Sequence, residues 1–340
     1  MALKKVEVKT LILTGKQVEK LLNMREVIVA VEEAFRYKGM GKVQMPAKVY
    51  LDFPKYSGDL RTMPSYVEAL DISAVKIVNS HPNNFKEHGM RTVMGTLLLI
   101  DPRTGAPLAF MDATILTGLR TGAASAVASK YLARKDPKVL GVVGAGNQAK
   151  TQILALMTQY GKFEAVRVCD TYPERAWELV RDFGKKYPER LGRIEAVPSP
   201  KECVTGADLV VTATPSRKPI VMNDWVAKGT HFNCIGADAP GKQEMDPMIL
   251  KRARVVIDDW EQASHSGEIN VPLHAGIFSR KEVHAEIGEV VAGLRPGREA
   301  DDQITVFCST GLAIQDCVTA KLVYDAALKQ RVGRYMQIVP

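Results

Sequence analysis

Between residues 138 and 305, short apolar runs alternate with amphipathic segments of helical length. Such alternation is typical of repeated strand–helix units, so the pattern predicts the α/β class with a doubly wound parallel sheet. The predicted strands are Val139–Val143, Val166–Cys169, Ile194–Val197, Leu209–Ala213, His231–Ile235 and Val255–Asp258. The predicted helices are Gln148–Tyr160, Pro173–Lys186, Pro200–Thr205 and Pro247–Arg252.

The segment GVVGAGNQAK, residues 141–150, joins the first of these strands to the first helix. It contains a GxGxxA motif in which Gly144 permits a tight turn and Gly146 lets the backbone approach a pyrophosphate. The helix N-terminus adds unpaired N–H groups for the phosphates. The next strand ends at Asp170, whose carboxylate could accept hydrogen bonds from ribose hydroxyls. These features predict a Rossmann-type domain that binds a dinucleotide.

The charge of Asp170 favours NAD over NADP, because a carboxylate repels a 2′-phosphate. Arg175 follows five residues later and could offset part of that repulsion, so NADP stays open. The segment 213–216 follows the fourth predicted strand, at the sheet edge where ligands bind in open α/β folds. This position predicts that Thr214 lies on the nicotinamide side of the cofactor.

The N-terminal region has a different pattern, which predicts a second, α+β domain. We expect one amphipathic helix over Gly15–Lys38, then a mostly antiparallel sheet from the apolar segments AKVYLDF, SAVKIV, GTLLLID and PLAFMDA. A helix of small residues, Thr117–Lys135, follows, and the C-terminal helix Ala313–Lys329, with no strand after it, is expected to pack back on this domain. The predicted domains are therefore 1–130 completed by 312–340, and 131–311.

Several cations and one acidic loop are the candidates for substrate chemistry. Lys76 and Arg120 interrupt apolar or small-residue stretches, and a buried cation requires a partner. That partner is either a substrate carboxylate or an internal acidic residue, and the spacing leaves both open. Lys48 and Arg61 are further candidates for a carboxylate. Asp238, just after a predicted strand, is a candidate general acid/base or, alternatively, a turn-forming residue.

Composition narrows the classes of partner. The net charge is +8, with a pI near 9.1, but the basic residues are dispersed. A small anionic ligand therefore fits better than nucleic acid. No apolar run is long enough for a membrane span and no signal peptide is recognisable, so we expect a cytoplasmic protein. Five cysteines without a CxxC pair predict reduced core thiols, and the histidine spacing predicts no metal site.

Longer motifs make the chain resemble the ornithine cyclodeaminase and mu-crystallin family along nearly its whole length. The shared stretches are KIVNSHPNN, LRTGAASAVASKYLA, GVVGAGNQA, TATPSRKPIV, GADAPGKQEMD, HSGEI and STGLAIQD. Within the family, SRKPIV, the GADAPGKQE loop and EIGEVVAGLRPGRE are most similar to archaeal alanine dehydrogenases. Cyclodeaminases carry GGDCPGKTE at the loop, a difference that weakens an ornithine assignment.

The resemblance implies roles for matching positions. Lys76 and Arg120 would clamp the substrate carboxylate, with Lys48 and Arg61 near the substrate. Asp238 would be the acid/base, with Lys242 beside it. The catalytic candidates are thus Asp238, Lys48 and Lys76, and the substrate-binding candidates are Arg61, Lys76 and Arg120. Together with the glycine motif, the resemblance predicts cofactor contacts at Thr92, Gly144, Gly146, Asn147, Gln148, Asp170, Thr214, Lys242, Ser309 and Thr310.

The resemblance also implies a homodimer, joined through the domains that do not bind nucleotide, and a nicotinamide cofactor between the domains. The implied activity is reversible oxidative deamination of a small L-amino acid, L-alanine to pyruvate and ammonia, with NAD. Three alternatives remain open at this stage. They are an ornithine cyclodeaminase forming L-proline, a reductase of cyclic ketimines such as pyrroline-2-carboxylate, and a non-catalytic binder like the lens mu-crystallins.

Overall fold

The computed structural model describes residues 7–339, which divide into two compact units. The first unit comprises 7–37, 41–120 and 312–339, and the second comprises 38–40 and 121–311. The division falls at 120/121 rather than at the predicted 130/131, inside one continuous helix of residues 114–132. An unbroken helix carries no sequence signal of a domain boundary.

The elements of the first part of the chain, in order, are β1 (Thr10–Leu13), α1 (Gly15–Leu21), α2 (Met24–Gly39), β2 (Val43–Gln44), β3 (Val49–Phe53), β4 (Gly58–Val67), β5 (Ile72–Ser80), α3 (Asn84–His88), β6 (Val93–Ile100), β7 (Pro107–Asp112) and α4 (Thr114–Leu132). Those of the remainder are β8 (Val139–Val143), α5 (Asn147–Tyr160), β9 (Phe163–Cys169), α6 (Pro173–Lys186), β10 (Leu191–Ala196), α7 (Pro200–Val204), β11 (Leu209–Thr212), β12 (His231–Cys234), α8 (Pro247–Arg252), β13 (Arg254–Ile257), α9 (Trp260–Ser266), α10 (Asn270–His274), β14 (Val283–Glu286), α11 (Ile287–Val291), β15 (Thr305–Cys308), α12 (Ala313–Gln330) and β16 (Arg334–Met336).

The second unit contains an eight-stranded, wholly parallel sheet in the order β10-β9-β8-β11-β12-β15-β13-β14. Its apolar strands lie in two buried clusters, as expected for strands covered on both faces. The strand order reverses between β8 and β11, which is the topological switch point of a Rossmann fold. The predicted fold class is confirmed. The strands β14 and β15 were not among the predicted ones.

The first unit contains an eight-stranded mixed sheet in the order β16-β1-β7-β6-β5-β4-β2, with β3 also paired to β4. All its pairs are antiparallel except β1 with β7, so the expectation of a mostly antiparallel sheet is confirmed. Helix α12 packs against β4, β5 and β6 of this sheet.

Three sequence expectations about the first unit are wrong. The predicted helix Gly15–Lys38 is two helices, because Leu22 is extended and the Asn23 side chain accepts from Arg25 N at 2.9 Å, beginning a second helix. Strand β4 was not among the predicted strand segments, since Asp59 and Arg61 hide its alternation. A strand does follow the C-terminal helix: β16 pairs antiparallel with β1, but its three exposed residues have no apolar pattern.

The predicted state of the cysteines can be compared with the described residues. All five cysteines are buried free thiols, as expected. Within residues 7–339, no group of three or more His, Cys, Asp or Glu side chains could hold a metal ion. No helix in this range is long and apolar enough to cross a membrane.

Candidate active site

Two of the predicted cations share one carboxylate. Lys76 on β5 and Arg120 on α4 both bind Asp316 of α12, with Lys76 Nζ 2.7 Å from Oδ2 and Arg120 Nε 2.9 Å from Oδ1. Arg120 Nη1 also donates to Gln315 Oε1 at 2.9 Å. The exposed fraction is 1% for Lys76, 5% for Arg120 and 1% for Asp316. The structure therefore contains the internal salt bridge that the sequence left open.

The salt bridge does not balance the charge of this cluster. Two cations and one carboxylate leave one net positive charge inside the first unit when Lys76 is protonated. A substrate carboxylate would neutralise that charge, and Arg120 could also bind it through its remaining N–H donors. Asp316 is the last residue of the STGLAIQD stretch, and the sequence predicted no role for it. An acidic residue within a buried apolar helix was the signal that could have identified it.

The surroundings of Lys76 shift its pKa. Burial, followed by the positive charge of Arg120, lowers the pKa of Lys76 from 10.5 to about 7, although Asp316 opposes the shift. The positive charge of Lys48, just before β3, also lowers this pKa. Lys76 therefore changes charge near neutral pH, which is unusual for a lysine and typical of a functional site.

Arg61 lies on the same sheet face as Lys76. In the β4–β5 pair, Arg61 is opposite Val78 and Met63 is opposite Lys76, which makes the two cations diagonal neighbours. Arg61 is 9% exposed and binds Asp59 through two bonds, Nε–Oδ1 at 2.9 Å and Nη2–Oδ2 at 3.0 Å. Its guanidinium also lies 5.3 Å from the Tyr50 ring centroid. The four predicted cations thus belong to one region of the first unit.

Thr92, a predicted cofactor contact, is the exception in the first unit. It lies just before β6, and its carbonyl accepts from His81 N at 2.8 Å. This hydrogen bond involves none of the four cations.

The glycine loop after β8 has the geometry that a dinucleotide requires. Gly144 has φ +101°, and a Cβ there would lie 2.7 Å from Ala213 O, so only glycine fits. A Cβ on Gly146, by contrast, would meet nothing within 4 Å, which leaves room for a pyrophosphate. Gly146 is the N-cap of the 14-residue α5, and Asn147 and Gln148 are its first two residues. The residues present fit a dinucleotide.

Asp170 connects this loop to the end of β9. Its Oδ2 accepts from Ala145 N at 2.7 Å and its Oδ1 from Tyr172 N at 2.9 Å. Each oxygen keeps a second lone pair for a ribose hydroxyl. The Arg175 guanidinium lies 4.5 Å from the Tyr172 ring centroid, so it has an aromatic partner of its own.

Three further predicted cofactor residues follow strands of the same sheet. Thr214 follows β11, and Ser309 and Thr310 follow β15. Asp258, fully buried, accepts from Thr310 N at 2.6 Å and from Gly311 N at 2.8 Å, which holds this loop in place. Ser309 Oγ is buried without a hydrogen-bond partner among the described residues. The sequence predicted Asp258 only as the last residue of a strand and did not predict its contact with this loop.

The loop after β12 contains the predicted acid/base. Asp238 Oδ1 lies 2.6 Å from Lys242 Nζ, and both side chains are partly exposed, so the carboxylate is paired and accessible to solvent. Asp238 also makes a turn contact, since its N–H donates to Gly236 O at 3.0 Å. The loop is therefore both a turn and a place where a carboxylate can exchange protons.

These features define a Rossmann-type dinucleotide-binding protein with a buried cation cluster suited to a carboxylate. The chain belongs to the Ornithine cyclodeaminase/mu-crystallin family, whose model matches residues 8–331, which confirms the resemblance.

Individual relatives are similar over nearly the whole chain. The chain is 51% identical to the alanine dehydrogenase of Archaeoglobus fulgidus over 327 residues, 95% of this chain and 97% of that protein. A solved archaeal alanine dehydrogenase dimer with bound NAD has a TM-score of 0.92 and 49% identity, covering 97% of this chain and all of that one. The Thermococcus litoralis Delta(1)-pyrroline-2-carboxylate reductase, in complex with NADH and L-proline, has a TM-score of 0.92 and 40% identity, covering 96% and 99%.

Proposed function

We propose that this chain catalyses the NAD-dependent, reversible oxidative deamination of a small L-amino acid, L-alanine to pyruvate and ammonia. The observation that carries the proposal is the buried cluster of Lys76, Arg120 and Asp316, in which two side chains suited to binding a carboxylate share a single acidic partner. The 51% identity to an alanine dehydrogenase supports the choice of substrate. The glycine loop after β8 supports the choice of a dinucleotide.

Each proposed role follows from the surroundings of the residue. Lys76 and Arg120 hold the substrate carboxylate, which orients the Cα–H bond, and Arg61 and Lys48 extend the positive surface near the substrate. Bound NAD supplies a hydride acceptor. Asp238, or Lys48, takes the proton from the water that replaces the amino nitrogen, and ammonia leaves. Lys242 forms an ion pair with Asp238 at 2.6 Å.

The proposed cofactor contacts are Gly144, Gly146, Asn147 and Gln148 for the pyrophosphate, Asp170 for the ribose, and Thr92, Thr214, Lys242, Ser309 and Thr310 elsewhere along the cofactor. NAD is preferred to NADP because Asp170 carries a negative charge where a 2′-phosphate would lie. Arg175 offsets this less than the sequence suggested, since its guanidinium lies against Tyr172.

Reduction of a cyclic imine is the second candidate function. The 40% identity and TM-score of 0.92 to a Delta(1)-pyrroline-2-carboxylate reductase favour it, because that protein has been solved with NADH and L-proline. The same cations would hold the imine carboxylate, and Asp238 would protonate the ring nitrogen. The cyclodeaminase alternative uses the same residues, but the GADAPGKQE loop differs from the cyclodeaminase pattern.

We also propose that the chain forms a homodimer through its first unit. The outer face of that sheet is apolar: Ile77, Met94 and Phe110 lie on it and are each more than a third exposed. Exposed apolar patches of this kind mark interaction surfaces. The alanine dehydrogenase solved with NAD is a dimer.

A three-substrate assay tests the proposed activity. Purified protein with NAD and L-alanine is expected to form NADH and pyruvate in equal amounts, with ammonia released. Proline formed from L-ornithine without net NADH would identify a cyclodeaminase instead. NADH consumption on pyrroline-2-carboxylate, without any reaction on L-alanine, would identify an imine reductase. Binding of NADH without turnover on any of the three would support a non-catalytic binder.

A further inference from the structure

One buried glutamate joins the ends of two neighbouring strands. Glu244 Oε1 accepts from Thr214 N at 2.6 Å and from Thr214 Oγ1 at 2.7 Å, while its Oε2 accepts from Gly236 N at 2.9 Å. Thr214 lies two residues after β11 and Gly236 two residues after β12. Both strand ends are at the sheet edge where ligands bind in this fold. Glu244 therefore fixes the spacing between two loops of the proposed site.

The contact depends on a close approach of the backbone. A Cβ on Gly236 would lie 2.2 Å from Thr214 O and 2.5 Å from Glu244 Oε2. No side chain fits there, so a glycine is required for the two loops and the carboxylate to meet. Asp238 follows two residues later, and its N–H donates to Gly236 O at 3.0 Å. The position of the Asp238 backbone is thus tied to the position of Gly236.

A second buried glutamate holds the first. Glu268 Oε1 accepts from Met245 N at 2.7 Å and from Glu244 N at 2.9 Å. Asn270, two residues further along, holds the other side of the loop: its Oδ1 accepts from Gly241 N at 3.0 Å, and its Nδ2 donates to Lys242 O at 2.9 Å. The HSGEI motif and the residue after it therefore fasten the loop that contains Asp238 and Lys242.

Burial of these two carboxylates is costly. Glu244 is 0% exposed and Glu268 is 1% exposed, and neither forms a salt bridge with any residue in the described range 7–339. Burial raises the pKa of both, and the charge of Glu244 raises that of Glu268 further. The donors around Glu244 oppose its shift, so Glu244 is the partner that we expect to carry the charge.

We propose that Glu244 is a positioning residue that places Asp238 and Thr214 for the reaction, and that Glu268 in turn positions Glu244 through its backbone. The proposal rests on the proposed function, because it assigns chemistry to Asp238. It assigns a role to two residues whose hydrogen bonds do not involve the cation cluster. Neither glutamate is a catalytic residue in this scheme, since each acts through the loop.

Isosteric variants separate the two glutamates. In Glu244→Gln, the side-chain NH₂ group faces the backbone N–H of either Thr214 or Gly236, depending on how the amide is turned. In both orientations, one hydrogen bond is replaced by a repulsive contact between two donors. In Glu268→Gln, the amide oxygen can keep both short bonds that Oε1 accepts. The NH₂ group replaces Oε2, which takes only a longer contact of 3.1 Å from Glu244 N. Glu261→Gln is the matched control, because Glu261 is exposed on the neighbouring α9.

The first measurement is steady-state kinetics on L-alanine, per folded protein as counted by NADH titration. For Glu244→Gln we expect kcat to fall about tenfold to a hundredfold, the scale of a misplaced reacting group, with KM for L-alanine within about threefold. The KM is expected to hold because the carboxylate cluster shares no residue with this loop. For Glu268→Gln and Glu261→Gln we expect both constants within about twofold. Glu268→Ala, which leaves two N–H groups without an acceptor, is expected to lose kcat.

The second measurement is amide hydrogen exchange without substrate. Glu244→Gln should speed exchange in residues 213–216 and 235–242, and Glu268→Gln should not. If Glu244→Gln does not fold, Glu244→Asp replaces it, because the shorter carboxylate cannot span both loops. If the kcat of Glu244→Gln equals that of Glu261→Gln, the proposal is overturned. This holds even if amide exchange is faster in Glu244→Gln, because the role of Glu244 would then be only structural. If the wild-type protein turns over no substrate, the proposed function fails separately, and unchanged exchange in Glu244→Gln would overturn the positioning as well.

Discussion

Among single residues, Asp316 is the one that connects the two buried cations of the proposed site. It is the carboxylate shared by Lys76 and Arg120, which come from a strand and a helix distant in sequence. Its charge makes the burial of two cations tolerable, and it also restricts their side chains to one arrangement. The pair could therefore receive a substrate carboxylate without rearranging, which is the physical basis of catalysis by positioning.

Asp316→Asn tests this dependence. The substitution leaves both cations buried without the charge they share, so we expect the free energy of unfolding to fall by about 3–5 kcal/mol. Asp325→Asn is the control on the same helix, because Asp325 pairs with Lys321 at 2.6 Å on an exposed face, and such pairs contribute about 0–1 kcal/mol. Urea unfolding of the three proteins makes the comparison. Equal losses in both variants would show that the buried cluster does not depend on Asp316.

The pKa of Lys76 predicts how stability changes with pH. The pKa is about 7 in the folded protein and near 10.5 in the unfolded chain. Between these values the unfolded chain binds the additional proton, so the free energy of unfolding rises with pH across this interval. Below about pH 7 both states are protonated and the cost of burying the charge is present in full. We therefore expect a larger gain in stability from pH 7 to pH 9.5 for the wild-type protein than for Lys76→Met, and equal gains would contradict the shift.

Among the secondary-structure elements, the turn between β8 and α5 contains the glycine that the GxGxxA motif predicted for a tight turn. The positive φ of Gly144 and its approach to Ala213 O explain why glycine is required. Other elements were mispredicted where side chains obscured the period. Strand β4 includes Asp59 and Arg61, which bind each other on the sheet rather than facing solvent, so its alternation was not visible.

Gly144→Ala tests the turn, with Gly161→Ala as the control. Both glycines have positive φ, but an added Cβ on Gly161, at the C-terminus of α5, would meet nothing within 4 Å. Each substitution should cost about 1 kcal/mol or more of stability through the backbone alone. Only Gly144→Ala is expected to lower NADH affinity as well, by about tenfold, because the loop must shift away from Ala213. Fluorescence titration with NADH makes the measurement, and equal affinity in both variants would contradict the assignment of this loop.

The proposed homodimer can be tested directly. We expect light scattering to give twice the chain mass of 37.4 kDa. Phe110→Asp places a charge on the exposed apolar face of the first unit and should weaken the dimer. Trp177→Asp is the control, because Trp177 is 63% exposed on α6 of the second unit. If neither Phe110→Asp nor Trp177→Asp changes the measured mass, the dimer forms through a surface other than this apolar face.

The parallel sheet, the glycine loop and the family could be predicted from the residue pattern alone. Each of these features is recognisable from residues that are close together in the sequence. Strands such as β8 are apolar throughout, and the GxGxxA motif occupies six consecutive residues. The folded chain was needed to see which distant residues meet: Asp316 with Lys76 and Arg120, Asp258 with Thr310, and Glu244 with Thr214 and Gly236. The strand β16 likewise exists only through its pairing with β1. These contacts depend on the order and register of the strands in each sheet, and neither can be inferred from the pattern of residues along the chain.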